Sequence, residues 1–196
     1  MRKKVAVITR TKNRPILLPR VRESIQSQTF KDYVWVLVND AGVREPVDRE
    51  AEIARSQGMD VLVVHREKSV GMEAASNDGV RRSRSDYIVV HDDDDTWSPR
   101  FLEKTVHFLD NDERYVGVIT HSVRVVERLT DEGAVFLSSN PYNDWMVSVF
   151  LVDLAQTNRF PPISYLFRRS LYDRLGGFDE SLPVLGDWDF NLRSLA

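Results

Sequence analysis

Four adjacent aspartates, Asp92-Asp93-Asp94-Asp95, follow His91 and the apolar run Tyr87-Ile88-Val89-Val90. Neighbouring carboxylates repel one another, the more so as water is excluded. A hard divalent cation, Mn2+ or Mg2+, relieves that repulsion, because such ions prefer oxygen ligands. Mg2+ takes one or two carboxylates and completes its shell with substrate phosphates. Residues two apart point the same way in an extended segment. Asp92 and Asp94 are therefore the expected metal pair. The bland alternative is a solvated acidic turn in which Asp95 caps the next helix.

Two more polar clusters end apolar runs. Val5-Ala6-Val7-Ile8 leads into Thr9-Arg10-Thr11-Lys12-Asn13-Arg14, hydroxyls and cations that suit a phosphate or nucleotide. Val34-Trp35-Val36-Leu37-Val38 leads into Asn39-Asp40-Ala41-Gly42. There Asp40 either accepts hydrogen bonds from a base or ribose or serves as a turn residue. His91, at an alternate strand position, is expected to point into the fold rather than to ligate metal. Trp97 is expected to shape the acidic loop, and Trp35 and Trp188 to pack in the core. Arg168 and Arg169 are expected at a solvated helix start.

These clusters need a frame that brings them to one place. Pro15 suits a helix start, and Leu17, Leu18, Val21 and Ile25 then share one helical face. Asp48–Gln57 reads as a polar helix ended by Gly58. Val61–Val64 is a third strand, Gly71–Ser83 a helix with small residues, and Tyr87–Val90 a fourth strand. Strands that are apolar throughout are buried on both faces, as in a parallel sheet. Strand–helix–strand repetition gives right-handed crossovers and a doubly wound, mostly parallel α/β sheet with helices on both faces. The three polar clusters then meet at the carboxyl edge of the strands, where open α/β sheets bind ligands. Ser98 is the expected N-cap of the next helix, with Pro99 at its first position. Val116–Ile119 is a further apolar run. Residues 123–139 point to a hairpin around Asp131-Glu132-Gly133, and 140–165 show no clear period. Arg169–Leu175 is a short helix that stops at Gly176-Gly177, and 187–193 opens a last helix.

Composition excludes several classes. Charged residues make up 29% and aromatic residues 10%, unlike a disordered or low-complexity chain. The absence of cysteine excludes a disulfide scaffold, a zinc finger and thiol catalysis. Basic and acidic residues nearly balance at 27 and 30, which argues against a nucleic-acid surface. No Gly-x-Gly-x-x-Gly follows a strand, which disfavours a dinucleotide-binding dehydrogenase. The apolar run after Arg2-Lys3-Lys4 is too short for a signal peptide, and no run is long enough to span a membrane. The expectation is a cytoplasmic protein, any peripheral membrane contact being made by a part outside this chain.

In their order along the chain, these residues resemble the motifs of family 2 glycosyltransferases with the GT-A fold. Val5–Arg14 looks like that family's first strand and loop. Ser24–Gly42 is similar to its Ser-Ile-x-x-Gln-Thr, strand and Asn-Asp-Gly. Ala75–Gly79 takes the place of its Ala-Arg-Asn-x-Gly helix, and Tyr87–Pro99 that of its Asp-x-Asp segment with Trp-x-Pro. Gly176–Glu180 and Gly186–Asp189 resemble its late Gly-Gly-Phe-Asp-Glu and Glu-Asp-x-Asp motifs. Arg10 stands where the pattern has Pro, Lys12 where it has Tyr, Ser76 where Arg is common and Gly186 where Glu is usual.

The resemblance implies a metal-dependent, inverting transfer of a sugar from a nucleotide diphosphate sugar, with a UDP-sugar favoured. The acceptor hydroxyl would belong to a carbohydrate, a lipid-linked sugar or a protein, in polysaccharide or glycoconjugate synthesis. By position it puts Arg10, Thr11, Asp40, Asp92 and Asp93 on the nucleotide sugar and Asp92 and Asp94 on the metal. Asp187 falls where the general base sits, with Asp189 as its competitor. Asp187 is otherwise an N-cap of the last helix, and Gly186 before it permits a backbone angle that aims it. Residues 1–196 then form one domain, with 1–99 the nucleotide-sugar-binding half and 100–196 the acceptor-side half, cut short of the family's later segments. Two other readings stand. One is a nucleotide-sugar-binding module without turnover, which Ser76 and Gly186 motivate. The other is a sugar-phosphate nucleotidyltransferase, against which the glycine-free first loop counts.

Overall fold

The computed structural model describes residues 2–130 and 133–196. The strands are β1 (Lys3–Thr11), β2 (Tyr33–Asn39), β3 (Val61–His65), β4 (Ser85–Val90), β5 (Gly117–Ile119), β6 (Val123–Thr130), β7 (Gly133–Pro141) and β8 (Tyr165–Arg168). The helices are α1 (Leu18–Gln26), α2 (Glu45–Ser56), α3 (Met72–Arg82), α4 (Phe101–Asn111), α5 (Leu151–Leu154), α6 (Arg169–Leu175) and α7 (Gly186–Leu195). A 3-10 turn over Pro15–Leu17 carries the expected helix start into α1. No helix among the described residues is long and apolar enough to cross a membrane.

The main sheet has the order β3-β2-β1-β4-β8-β5. β1 is parallel to β2 and β4, and β2 is parallel to β3. β8 runs antiparallel to both β4 and β5. The sheet is thus mostly parallel and covered on both faces. Alternate strand residues point to opposite sides. Val7, Trp35 and Val89 join a cluster with Leu18, Ala51 and Leu102 of α1, α2 and α4. Ile8, Val36 and Ile88 join one with Ala75, Leu171 and Phe190 of α3, α6 and α7. Gly79 lets α3 lie flat on the sheet, since a Cβ there would stand 2.8 Å from Ile8 Cγ2 and 2.9 Å from Val38 Cγ2.

Three local expectations change. α5 lies in the stretch that shows no period, and β8 begins at its last residue, Tyr165. β8 is too short to show one, and it is wedged between apolar neighbours on both sides. Arg168 and Arg169 do not stand free at a solvated helix start but are partly buried on backbone carbonyls. Arg168 donates to the carbonyls of Leu109 at 2.7 Å and Tyr115 at 2.9 Å, and Arg169 donates to those of Ser85 at 2.8 Å and Val80 at 3.3 Å. Two of these carbonyls close the last turns of α4 and α3, a common use of basic side chains. Ser98 does not cap α4 with its side chain. The fully buried Gln28 does so instead, its Oε1 accepting from Leu102 N–H at 3.0 Å and its Nε2 donating to Ser98 O at 2.9 Å. β6 and β7 pair as the expected antiparallel hairpin. Asp131 and Glu132, assigned to its turn, lie outside the described residues.

Candidate active site

The first loop and the acidic run meet at the carboxyl edge of the sheet. Arg10 grips Asp92 with two bonds, Nε to Oδ1 at 2.7 Å and Nη2 to Oδ2 at 3.1 Å. Its Nη1 donates to Ser76 Oγ at 3.1 Å. Two departures from the family pattern, Arg10 and Ser76, are therefore partners. Thr11 Oγ1 donates to Asp93 Oδ2 at 2.7 Å. Arg14 spans Asp93 Oδ1 at 2.5 Å and Asp94 Oδ2 at 2.9 Å. Arg20 donates to the Asp94 carbonyl and, at 2.5 Å, to Glu127 of β6. Of the four carboxylates expected to repel one another, those of Asp92, Asp93 and Asp94 are thus each paired with an arginine. Burial of Arg10 opposes its charge, but Asp92 outweighs that and raises its pKa. Burial raises Asp93 against the hydrogen bond from Thr11. Burial, with Asp92 and Asp94 alongside, pushes Asp95 up to about 7.

The loop is not extended, as the same-side argument for Asp92 and Asp94 requires. Asp93 and Asp94 form a turn, closed by Asp95 N–H on the Asp92 carbonyl at 3.2 Å. His91 holds the turn from below. It is fully buried, and burial lowers its pKa to about 4, so the ring is neutral. Its Nδ1 donates to the Asp92 carbonyl at 2.9 Å, and its Nε2 accepts from the Ser24 hydroxyl at 3.2 Å. Ser24 Oγ in turn accepts from Trp97 N–H at 2.8 Å. The Trp97 ring meets His91 edge-on at 4.4 Å and stacks on Phe101 at 4.5 Å. Trp97 shapes the loop, and His91 faces the fold.

Asp40 also reaches this edge, where its N–H donates to the Thr11 carbonyl at 2.9 Å. Its carboxylate is turned to other partners, accepting from Arg66 Nη1 at 2.5 Å and Ser69 Oγ at 2.6 Å. Arg66 Nε is 2.7 Å from Asp78 of α3. Both readings of Asp40 therefore meet a carboxylate whose two oxygens already have donors.

Asp187 lies in the first turn of α7, not at its cap, which is Leu185 with φ +63°. The unusual backbone angle expected of Gly186 thus falls one residue earlier. Asp187 Oδ2 accepts from Asn158 Nδ2 at 2.7 Å, and its charge acts on Arg10 and on Glu73. Asp189 is occupied by Arg193, at 2.8 Å from its Nε. Trp188 donates to the Leu154 carbonyl at 2.6 Å and is partly buried. Arg20, Glu73 and Asn158 escaped the sequence reading. Each lies far along the chain from its partner, and a glutamate in a first helical turn reads as an ordinary favourable charge.

Among the described residues, no group of three or more His, Asp or Glu is placed to hold a metal ion. The donors fit a site that substrate completes. Asp94 is half-exposed and gives Arg14 only Oδ2, which leaves a hard oxygen for Mn2+ or Mg2+ beside substrate phosphates. Asp92 joins only in exchange for Arg10. A cavity of about 260 Å³ opens beside Thr11 and Arg14, walled by Pro15, Val43 and Pro46. A groove of about 760 Å³ runs past Asp94 and Asp95 between α4 and the β6–β7 hairpin, with Trp97, Arg124 and Tyr142 in its walls.

The model of the family described as "Glycosyl transferase family 2" matches residues 6–175. The chain is 30% identical over 198 residues to the uncharacterized glycosyltransferase YwdF of Bacillus subtilis, covering 97% of this chain and 68% of that protein. The fold is similar to S. aureus TarS 1-349, with a TM-score of 0.73 at 18% identity, over 98% of this chain and 55% of that one. TarS 1-349 has been solved in complex with UDP and with UDP-GlcNAc. It is also similar to the mannosyltransferase PcManGT from Pyrobaculum calidifontis in complex with GDP-Man and Mn2+, with a TM-score of 0.67 at 22% identity, over 93% of this chain and 49% of that one. The chain thus spans between about half and about two thirds of the length of these proteins.

Proposed function

The chain belongs to glycosyl transferase family 2 and has the GT-A fold, and on that premise we propose that it moves a sugar from a nucleotide diphosphate sugar, a UDP-sugar by preference, to an acceptor hydroxyl with inversion. The observation that carries this reading is the convergence of Arg10, Thr11 and Arg14 with Asp92, Asp93 and Asp94, with Asp187 in the field of Arg10. Breaking the glycosyl–phosphate bond puts negative charge on the leaving diphosphate. Arg10 and Arg14 are the chain's own cations at that point and stabilise the charge where it develops. Mn2+ or Mg2+, when bound at Asp94 and Asp92, would neutralise it further.

Asp187 accepts the proton of the attacking hydroxyl. A free Asp has a pKa near ~3.9, far below a hydroxyl, so the proton moves late and alignment supplies most of the rate. The nucleoside fits the cavity beside Thr11, and the acceptor fits the groove beside Asp94. A carbohydrate, lipid-linked sugar or protein acceptor would place the enzyme in polysaccharide or glycoconjugate synthesis.

The test is a melting screen with UDP, GDP, dTDP and CDP, each with and without Mn2+, on this chain and on Asp94→Asn. Ligand at about 100 times its Kd adds about 2.7 kcal/mol. A shift for one nucleotide that needs Mn2+ and vanishes in Asp94→Asn is expected. Release of nucleoside diphosphate from the matching sugar donor then separates a transferase from a binding module. No shift with any nucleotide sinks the reading for this chain.

A further inference from the structure

Glu73, in the first turn of α3, is only 2% exposed. Its Oε2 is a buried oxygen with no hydrogen-bond partner among the described residues. Such a group is costly to bury and calls for an explanation beyond packing. Burial raises the pKa of this carboxylate, while its own N–H, Arg10 and, across the site, the backbone N–H of Gly186 at the start of α7 favour its charge. The two segments are fitted to each other. A Cβ on Gly186 would lie 2.5 Å from Glu73 Oε1 and 2.6 Å from its Cδ. The carboxylate of Glu73 therefore fills the volume that a side chain at position 186 would occupy. The next residue along α7 is Asp187. Arg10 attracts Glu73 and Asp187 alike, while the two acids act on each other. On its far side the Asp187 carboxylate is tied to Asn158.

We propose that Glu73 is the positioning residue of Asp187. It grips the first N–H of α7 from α3 and so fixes where the Asp187 carboxylate stands against Arg10. An acid absent from position 186 is supplied from another part of the chain. This rests on the reading of Asp187 as the base. It also accounts for Leu185, a non-glycine residue held at φ +63° immediately before the gripped N–H. Strain of this kind persists where surrounding contacts over-determine the backbone.

The experiment relocates the acid. Glu73→Ala, Glu73→Gln, Glu73→Ala/Gly186→Glu and Asp187→Asn are compared with the unaltered chain. The readouts are the UDP–Mn2+ melting shift, nucleoside diphosphate release from UDP-N-acetylglucosamine, and the Gly186 amide proton by NMR. Glu73→Ala is expected to keep the UDP shift and the donor KM while losing about tenfold or more in kcat. Returning the acid in Glu73→Ala/Gly186→Glu is expected to restore kcat. The Gly186 amide proton is expected downfield in the unaltered chain and in Glu73→Gln, which keeps an acceptor oxygen, and upfield in Glu73→Ala. Unchanged kcat in Glu73→Ala, a loss shared equally by KM, or no recovery in the double variant overturns the proposal. Turnover that survives Asp187→Asn sinks the base reading instead. If the unaltered chain releases no nucleoside diphosphate, the amide proton alone decides, and an unmoved signal in Glu73→Ala overturns the grip.

Discussion

Asp92 has both carboxylate oxygens on Arg10, and Asp94 shares Arg14 with Asp93. A divalent cation that takes Asp92 as well as Asp94 must therefore displace Arg10 from Asp92. Arg10→Ala removes that competitor. About three quarters of the Asp92 side chain is covered, so losing its partner is expected to cost about 1–3 kcal/mol without metal, less whatever solvent screens. Added Mn2+ is then expected to raise the melting temperature more in Arg10→Ala than in the unaltered chain. An equal or smaller Mn2+ shift would show that guanidinium and cation do not compete. A second residue-scale expectation concerns the base. Asp187→Asn is expected to keep the nucleotide–Mn2+ shift while lowering turnover by about two to four orders of magnitude. At this scale the acids were legible because they are consecutive and follow an apolar run. Their answering cations were legible only as a basic loop, because Arg10 and Asp92 become neighbours only when β1 pairs with β4. Glu73 gave no signal, since nothing local marks a glutamate that will be covered by a helix from the far end of the chain.

The parallel strands and the longer helices could be read from the sequence because each satisfies its period locally. β8 could not, because its place is set by β4 and β5 and not by its own pattern. The start of α4 is a case where a local rule pointed to the wrong residue. Ser98-Pro99 reads as a cap, yet the orphan N–H of Leu102 is met by Gln28, which also bonds the Ser98 carbonyl and so ties α4 to α1 through the acidic loop. Gln28→Ala leaves those buried groups unpaired and is expected to cost about 1–3 kcal/mol. Ser98→Ala keeps the carbonyl that Gln28 uses and is expected to stay within about 0.5 kcal/mol. Denaturant unfolding of the two variants checks the contrast, and equal losses would return the capping role to Ser98.

Both layers of the molecule carry a buried tyrosine whose ionisation the fold opposes. Burial pushes Tyr33, Tyr165 and Tyr172 up to about 12. Tyr33 donates to the Ile25 carbonyl at 3.1 Å under α1, and Tyr172 donates to Asn77 Oδ1 at 2.6 Å under α3. Tyr165 packs against Phe160 and Phe167. The doubly wound frame that buries them was legible from strand after strand of unbroken apolar residues, and this is why one solvent variable can address the whole fold. In the unfolded chain a tyrosine releases its proton near ~10. Between that value and about 12 the folded chain holds more protons than the unfolded one, so stability falls as pH rises. Below the unfolded value both states are protonated and these groups contribute no slope. Each fully displaced tyrosine adds about 1.4 kcal/mol of loss per pH unit, and the three act together if unfolding is cooperative. Denaturant midpoints are therefore expected to fall steeply above the unfolded tyrosine pKa. Phenolate absorbance should rise with unfolding for these tyrosines rather than before it. Phenolate formation by these three tyrosines that is half complete near pH ~10, with the denaturant midpoint unchanged, would mean that the two faces of the sheet are open to hydroxide, and that the burial assigned to the core is wrong.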